Sequence, residues 1–140
     1  MSANWKKKDI SPSQKKKIKA SSRKRNQKIP ALSLEEILAE EIKRKLPHLP
    51  PLSREIRFHP TRRWRLDLGW NGRQLGIEIH GGEWAQGRHI RPAGFINDRE
   101  KMNEAIRCGW HVLEFTGTHL SKRLDWVIEI IGEVYDESSR

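Results

Sequence analysis

The sequence predicts an α/β (α+β) domain, a mixed four-stranded sheet flanked by helices in the order αβββαβα, preceded by a basic N-terminal arm. Three observations predict it. Apolar residues recur at helical spacing in three separate segments. Two-residue alternation governs most of the chain between the first and second of them. An Asn71-Gly72 turn signal sits inside that alternation.

At 140 residues the chain has room for one domain with a modest core. Its 28 Lys and Arg against 18 Asp and Glu give +10, and the excess is confined to one end. In residues 1–30, eleven basic residues from Lys6 to Lys28 oppose only Asp9, while the other 110 residues carry 17 of each sign. That arm has Lys, Ser, Gln and Asn where a core would need large apolar groups, so it is expected to be disordered, with residues 31–140 as the folded domain. A neutral globule with a +10 arm suits a polyanion, since each Lys or Arg near a phosphate releases condensed counterions. Nucleic acid is the first candidate. Trp5, Ile10, Ile18 and Ile29 form no amphipathic stripe, which counts against a membrane surface. Cys108 stands alone, which excludes an internal disulfide framework and fits a reducing cytoplasm. The sequence shows no apolar run of about 18 residues and no signal-peptide core, so a soluble, unsecreted protein is expected.

The elements follow in order. Ser33 and Glu36 form an S-x-x-E capping box ahead of Leu34, Ile37, Leu38, Ile42 and Leu46, which predicts a helix over about 33–45. The Pro-rich segment 47–53 stops it. Residues 55–59 alternate weakly and 64–70 strongly, and the Asn71-Gly72 turn leads into a third strand over 73–80. Gly81 and Gly82 end that strand, and 83–94 reads as a polar loop. A helix over about 95–108 carries Phe95, Met102, Ala105 and Ile106 on one stripe and stops at Gly109. A short strand over 110–115 and a closing helix over about 119–135 complete the domain.

If Asn71-Gly72 is a two-residue turn, facing residues sum to 143, and one face of the hairpin collects Leu66, Leu68, Trp70, Leu75, Ile77 and Ile79. The other face collects Arg65, Asp67, Gly69, Gln74, Gly76, Glu78 and His80. Asp67 then faces Gly76, with Glu78 diagonal to it at roughly 7–8 Å. Two carboxylates so placed can share one hard cation such as Mg²⁺, which takes oxygen ligands at about 2.0–2.1 Å and retains waters for a substrate phosphate. A solvated hairpin face accounts for the same letters. One Cys and scattered His residues lack zinc-ligand spacing.

Asp67, a short turn and then Glu78-Ile79-His80 resemble the signature of the PD-(D/E)XK nuclease superfamily, an acid followed by E-x-K or E-x-H on the next strand. The longer string from "RFHPTRRWRLDLGW" to "DREKMNEAIRCGWHVLEF" contains Asp98-x-x-Lys101 and Gly109-Trp110-x-Val112. Over about residues 33–135 it is similar to small phage and bacterial members related to very-short-patch-repair endonucleases and Holliday-junction resolvases. The resemblance implies a restriction-endonuclease-like core and Mg²⁺-dependent hydrolysis of phosphodiester bonds in DNA, with Mn²⁺ substituting, on a structured or branched substrate. It also implies a cytoplasmic location, on the nucleoid or in a phage-infected host, and leaves a homodimer open.

Carried over position by position, the resemblance makes Asp67 and Glu78 the metal-holding carboxylates and the backbone carbonyl of Ile79 a further ligand. The position usually occupied by Lys is His80, whose neutral imidazole can orient a water or take its proton but brings no fixed charge. Lys101 can supply that cation, or form an ordinary i,i+3 pair with Asp98. Glu36 matches the acid that many members carry on the first helix, and its capping duty explains it equally well. Arg88, His89 and Arg91 in "GGEWAQGRHIR", with Arg62, Arg63 and Arg65, are placed to grip phosphates. His59, Trp64, Trp84 and Trp110 read as packing or loop anchors. Two alternatives stand beside the nuclease: a non-catalytic nucleic-acid-binding protein on a degenerate nuclease fold, and a basic ribosome- or nucleoid-associated protein, which leaves the Asp67/Glu78 face unexplained.

Overall fold

The computed structural model describes residues 30–82 and 92–138. The basic arm, the loop bearing Trp84, Arg88, His89 and Arg91, and the last two residues lie outside them. The expected architecture is present: helix α1 (Leu34–Lys45), strands β1 (Ser53–Arg57), β2 (Arg65–Trp70) and β3 (Leu75–His80), helix α2 (Pro92–Arg107), strand β4 (His111–Thr116), then helices α3 (Gly117–Lys122) and α4 (Leu124–Glu137). One sheet runs in the order β1-β2-β3-β4, antiparallel except for the parallel β3–β4 pair that α2 connects. The single closing helix expected over 119–135 is two. The break falls at Arg123, which leaves the helical region (φ −137°, ψ 36°) and lays its guanidinium over Trp126. No described helix is long and apolar enough to cross a membrane.

The capping box forms as the spacing requires: the Glu36 amide donates to Ser33 Oγ at 3.2 Å, and the Ser33 amide donates to Glu36 Oε2 at 2.8 Å. Leu38 and Ile42 then face inward.

The hairpin departs from the two-residue turn. Asn71–Arg73 make a 3-10 turn and Gln74 closes it in the left-handed region (φ 48°). Leu68 therefore pairs with Ile77, Gly69 with Gly76 and Trp70 with Leu75. The slip is two residues, an even number, so every side chain of β3 keeps its face. What pins the longer turn is its far side, where the Gln74 carbonyl accepts from the His111 amide at 2.9 Å and ties the hairpin to β4.

Gly69 and Gly76 face each other because nothing larger fits. A Cβ on Gly69 (φ 156°) would meet the Leu75 carbonyl, and one on Gly76 would meet the Leu66 side chain. Gly69→Ala is therefore expected to destabilise the domain by about 3 kcal/mol, combining a strained backbone with a clash against main chain. Urea denaturation checks this, and a loss under about 1 kcal/mol would show that the close approach relaxes freely.

Both faces of the sheet are covered. Leu68, Trp70, Leu75, Ile77 and Phe115 pack with α1 and α4 residues, among them Leu38, Val127 and Ile131. Leu66 does not join them, contrary to the expected single apolar face: it packs with Ile56, Ala105 and Trp110 in a second cluster. The alternation breaks at Asp67, just past Leu68 and Ile77, the last β2–β3 pair. The expected apolar stripe of α2 is also corrected, since Ala105 is its one buried residue.

Candidate active site

Asp67 occupies a discontinuity in the sheet. The β1–β2 ladder pairs Leu66 with Ile56 and Leu68 with Arg54, passing over Asp67 and over Glu55, which takes a positive φ of 51°. The β2–β3 ladder ends at Leu68 and Ile77. In place of a strand carbonyl, Asp67 Oδ2 accepts the Ile79 amide at 2.8 Å. This side chain-to-backbone bond fixes the carboxylate beside β3. Asp67 lies near enough to Glu78 for its charge to bear on the Glu78 carboxyl.

Glu78 is 7% exposed, the one charged residue in the buried core among the described residues. Lys101 reaches it from α2, donating from Nζ to Glu78 Oε1 at 2.6 Å. Lys101 is thus brought to the acid pair, and the i,i+3 partnership with Asp98 is not formed. Burial pushes the Glu78 carboxyl above the usual range; the Lys101 bond opposes this, and the charge of Asp67 adds to it. Asp67 is likewise pushed up by burial against the pull of the Ile79 amide and Lys101, with Glu35 and Glu55 raising it further. The first-helix acid whose charge bears on Asp67 is therefore Glu35. Glu36 is turned back onto Ser33, which lowers its pKa.

His80 is held by Glu114 beside the acid pair, near enough for its charge to lower the pKa of the Glu78 carboxyl. Its Nε2 lies 3.1 Å from Glu114 Oε1, and both side chains are well exposed. Arg99 approaches the same oxygen at 3.9 Å. Neither Glu114 nor Arg99 stands out in the sequence. The signal is topological: the parallel β3–β4 register sets Glu114 beside Glu78 on the same sheet face, and only the strand order reveals it.

The 58–64 loop is tied to α2. Trp64 Nε1 donates to Asn97 Oδ1 at 3.3 Å, Arg62 lies 3.9 Å from Glu100 and 4.1 Å over the Trp64 ring, and His59 Nε2 lies 3.4 Å from Glu104. His59 and Trp64 are loop anchors, as expected, and Trp110 is buried. Arg65 pairs with Glu55 at 3.5 Å, whereas Arg63 is exposed with no ion pair among the described residues.

The two acids fit a hard divalent cation. Both carry charge that burial disfavours, each opposes the ionisation of its neighbour, and Lys101 is the one cation bonded to them among the described residues. Among those residues no group of three or more His, Cys, Asp and Glu is arranged to hold a metal. Two carboxylates suit an ion that draws further ligands from water and phosphate, as Mg²⁺ does.

The raised carboxyls have a consequence for stability. A carboxyl whose folded-state pKa exceeds its unfolded value contributes stability that is present below the unfolded value and is lost as pH rises through the folded one. In EDTA, Asp67→Asn is expected to flatten the fall in stability between pH 4 and pH 7 and to make the protein at least as stable as wild type at pH 7. Urea midpoints at the two pH values measure this, and a variant less stable at pH 7 would contradict it.

These features define an α+β core with helices on both sheet faces, a parallel fourth strand, and acids from two adjacent strands beside a lysine from α2. No protein-family model and no curated protein sequence matches the chain. Among solved structures, the chain is similar to the catalytic domain of the homing endonuclease I-Bth0305I, with a TM-score of 0.55 and 20% identity over 76% of this chain and 98% of that domain. The likeness is one of fold.

Proposed function

We propose that the protein is a divalent-metal-dependent DNA endonuclease of the PD-(D/E)XK type, acting on structured or branched DNA. The observation that carries this reading is the junction of Asp67, Glu78 and Lys101, through the Ile79–Asp67 bond and the 2.6 Å Lys101–Glu78 bond. Asp67 and Glu78 would hold Mg²⁺ or Mn²⁺. In an extended strand a residue's N–H and C=O leave toward the same side, so the Ile79 carbonyl shares the side from which its amide meets Asp67. A bound divalent ion supplies an activated water and neutralises charge developing on phosphate.

The chain's own residues do the rest. Lys101, bonded to Glu78 from α2, would take the part of the family's strand lysine, its ammonium orienting the attacking water and steadying the charge that builds on the phosphate. Glu114 holds His80 at the rim, where the imidazole can serve the leaving group or a neighbouring phosphate. Arg62, Arg63 and Arg65 bring cations to the start of β2, and Arg88, His89 and Arg91 follow the strand that carries Glu78. The arm adds affinity that ignores base sequence. The engagement of His80 with Glu114 favours a second reading, a DNA-binding protein that has lost catalysis.

Incubating the protein with plasmid and with a four-way junction, in Mg²⁺, Mn²⁺ or EDTA, separates the two. Cleavage that requires metal supports the endonuclease; binding without cleavage under either metal supports the second reading. Deleting residues 1–29 is expected to flatten the slope of log affinity against log salt, since eleven basic residues leave with it. An unchanged slope would remove the arm as the affinity element.

A further inference from the structure

We infer that the outer edge of β4 is a dimer interface, at which β4 of a second copy pairs antiparallel and joins two four-stranded sheets into one of eight. The inference stands apart from the nuclease reading.

The two edges of the sheet are built differently. β1 has five residues, follows Pro50 and Pro51, carries Arg54 and Arg57, and holds Glu55 at a positive φ of 51°. Such devices keep an edge from pairing with another chain. β4 has none of them. Its six residues pair with β3 without a break, it contains no Pro, Lys or Arg, and among the described residues nothing pairs with its other side. A groove lies there, lined by residues 109–114 in succession together with Met102 and Ile106 of α2 and Val134 of α4. Neighbours in a strand point to opposite faces, so one groove meets them all only by following the strand's edge.

The banks of the groove are apolar. On α2, Phe95 and Ile106 are 53% and 67% exposed and share a flank with Met102, at i, i+11 and i+7. On α4, Trp126, Ile130 and Val134 recur every four residues and are only partly buried. A lone extended peptide would fill the groove and leave Phe95 and Ile106 in water. A second copy continues the sheet and both helix layers at once.

Charge also selects the second copy. α4 runs opposite to β4, since Tyr135 packs on Trp70 by the hairpin turn and Trp126 packs on Phe115. The end of α4 near His111 carries exposed Glu133 and Glu137, and the other end carries exposed Lys122 and Arg123. Antiparallel pairing sets each acidic end against the basic end of the other copy. Asp125, nine residues from Val134 and felt by Arg44 of α1, faces away, and Glu129 lies between the two ends. The charges of α2 leave that match in place: Glu100 is turned to Arg62, Arg107 is held by Glu104, Arg99 approaches Glu114, and Asp98 is exposed beside Arg99. The two-fold axis crosses the sheet, so the two Glu78 residues fall on one side of it, three strand spacings or roughly 14 Å apart across the strands.

Sedimentation equilibrium on the full chain, without DNA or metal, tests this. Wild type is expected at twice 16.4 kDa. Ile106→Lys is expected to weaken the dimer about 30-fold or more, the loss typical of one central interface residue. Glu133→Lys/Glu137→Lys and Lys122→Glu/Arg123→Glu are each expected to give monomers, and an equimolar mixture of the two to recover the doubled mass, because every acidic end then meets a basic one again. All five positions are exposed, so circular dichroism should be unchanged. A wild type that stays monomeric throughout the concentration range overturns the inference and leaves the edge to a strand of another protein. A dimer indifferent to Ile106→Lys overturns it by placing the contact on another face, and a mixture that stays monomeric overturns the antiparallel pairing. None of these outcomes depends on cleavage.

Discussion

Asp67→Asn and Glu78→Gln are each expected to abolish metal-dependent cleavage while leaving a folded protein that still binds DNA. Each replaces a charged oxygen ligand by a neutral amide of the same shape. The asparagine side chain placed at position 67 keeps an oxygen able to accept the Ile79 amide, and the glutamine placed at position 78 keeps the volume of the buried Glu78 side chain. What is lost is the negative charge that would hold the divalent ion, worth several kcal/mol of transition-state stabilisation, so a fall of about 10³-fold or more is expected. Single-turnover cleavage with the ion in excess measures it, beside gel-shift binding in EDTA. Either variant cutting within tenfold of wild type would remove that carboxylate from the site.

Lys101→Ala is expected to be the next most damaging change, acting on both stability and rate. The Lys101 and Glu78 side chains are 16% and 10% exposed, and removing one partner of so enclosed a pair typically costs about 3–5 kcal/mol. The loss should be greater at pH 7 than at pH 4, because without the ammonium the Glu78 carboxyl is held still further above its unfolded value. Adding Glu78→Gln should recover the stability, a coupling that a double-mutant cycle reads directly, without recovering cleavage. On rate, loss of a cation from the site is expected to cost about 10²-fold or more. His80→Ala should cost under about tenfold, since His80 is exposed and bonded to Glu114. A His80 variant more impaired than the Lys101 variant would return the central role to the histidine.

Most of the fold is legible in the residues. The capping box at Ser33 and Glu36, the alternation through Trp70 and the stop at Gly109 act locally, and local signals survive in sequence. Asp67 and Glu78 are legible as a pair because period two puts both on one hairpin face; in the structure the alternation breaks at Asp67, and the bond from the Ile79 amide is what sets its carboxylate beside β3. What escapes is set by tertiary partners. Leu66 reads like Leu68 until β1 and α2 supply it a second cluster through Ile56 and Ala105. The choice between Asp98 and Glu78 as partner for Lys101 depends on how α2 is rotated over the sheet, which the Trp64–Asn97 bond helps set. His80 reads as a site residue, and its tie to Glu114 requires knowing that β4 lies parallel beside β3. Likewise the periodicity of Phe95, Met102 and Ala105 suggests a buried stripe, and the first two turns of the helix are exposed.

The central claim is that Asp67 and Glu78 together bind one divalent ion, and Mn²⁺ titration followed by electron paramagnetic resonance tests it without any reaction. Wild type is expected to take up Mn²⁺ in competition with Mg²⁺, and Asp67→Asn and Glu78→Gln each to abolish that uptake. Uptake that survives in either folded variant, or none by wild type with or without DNA, would contradict the account.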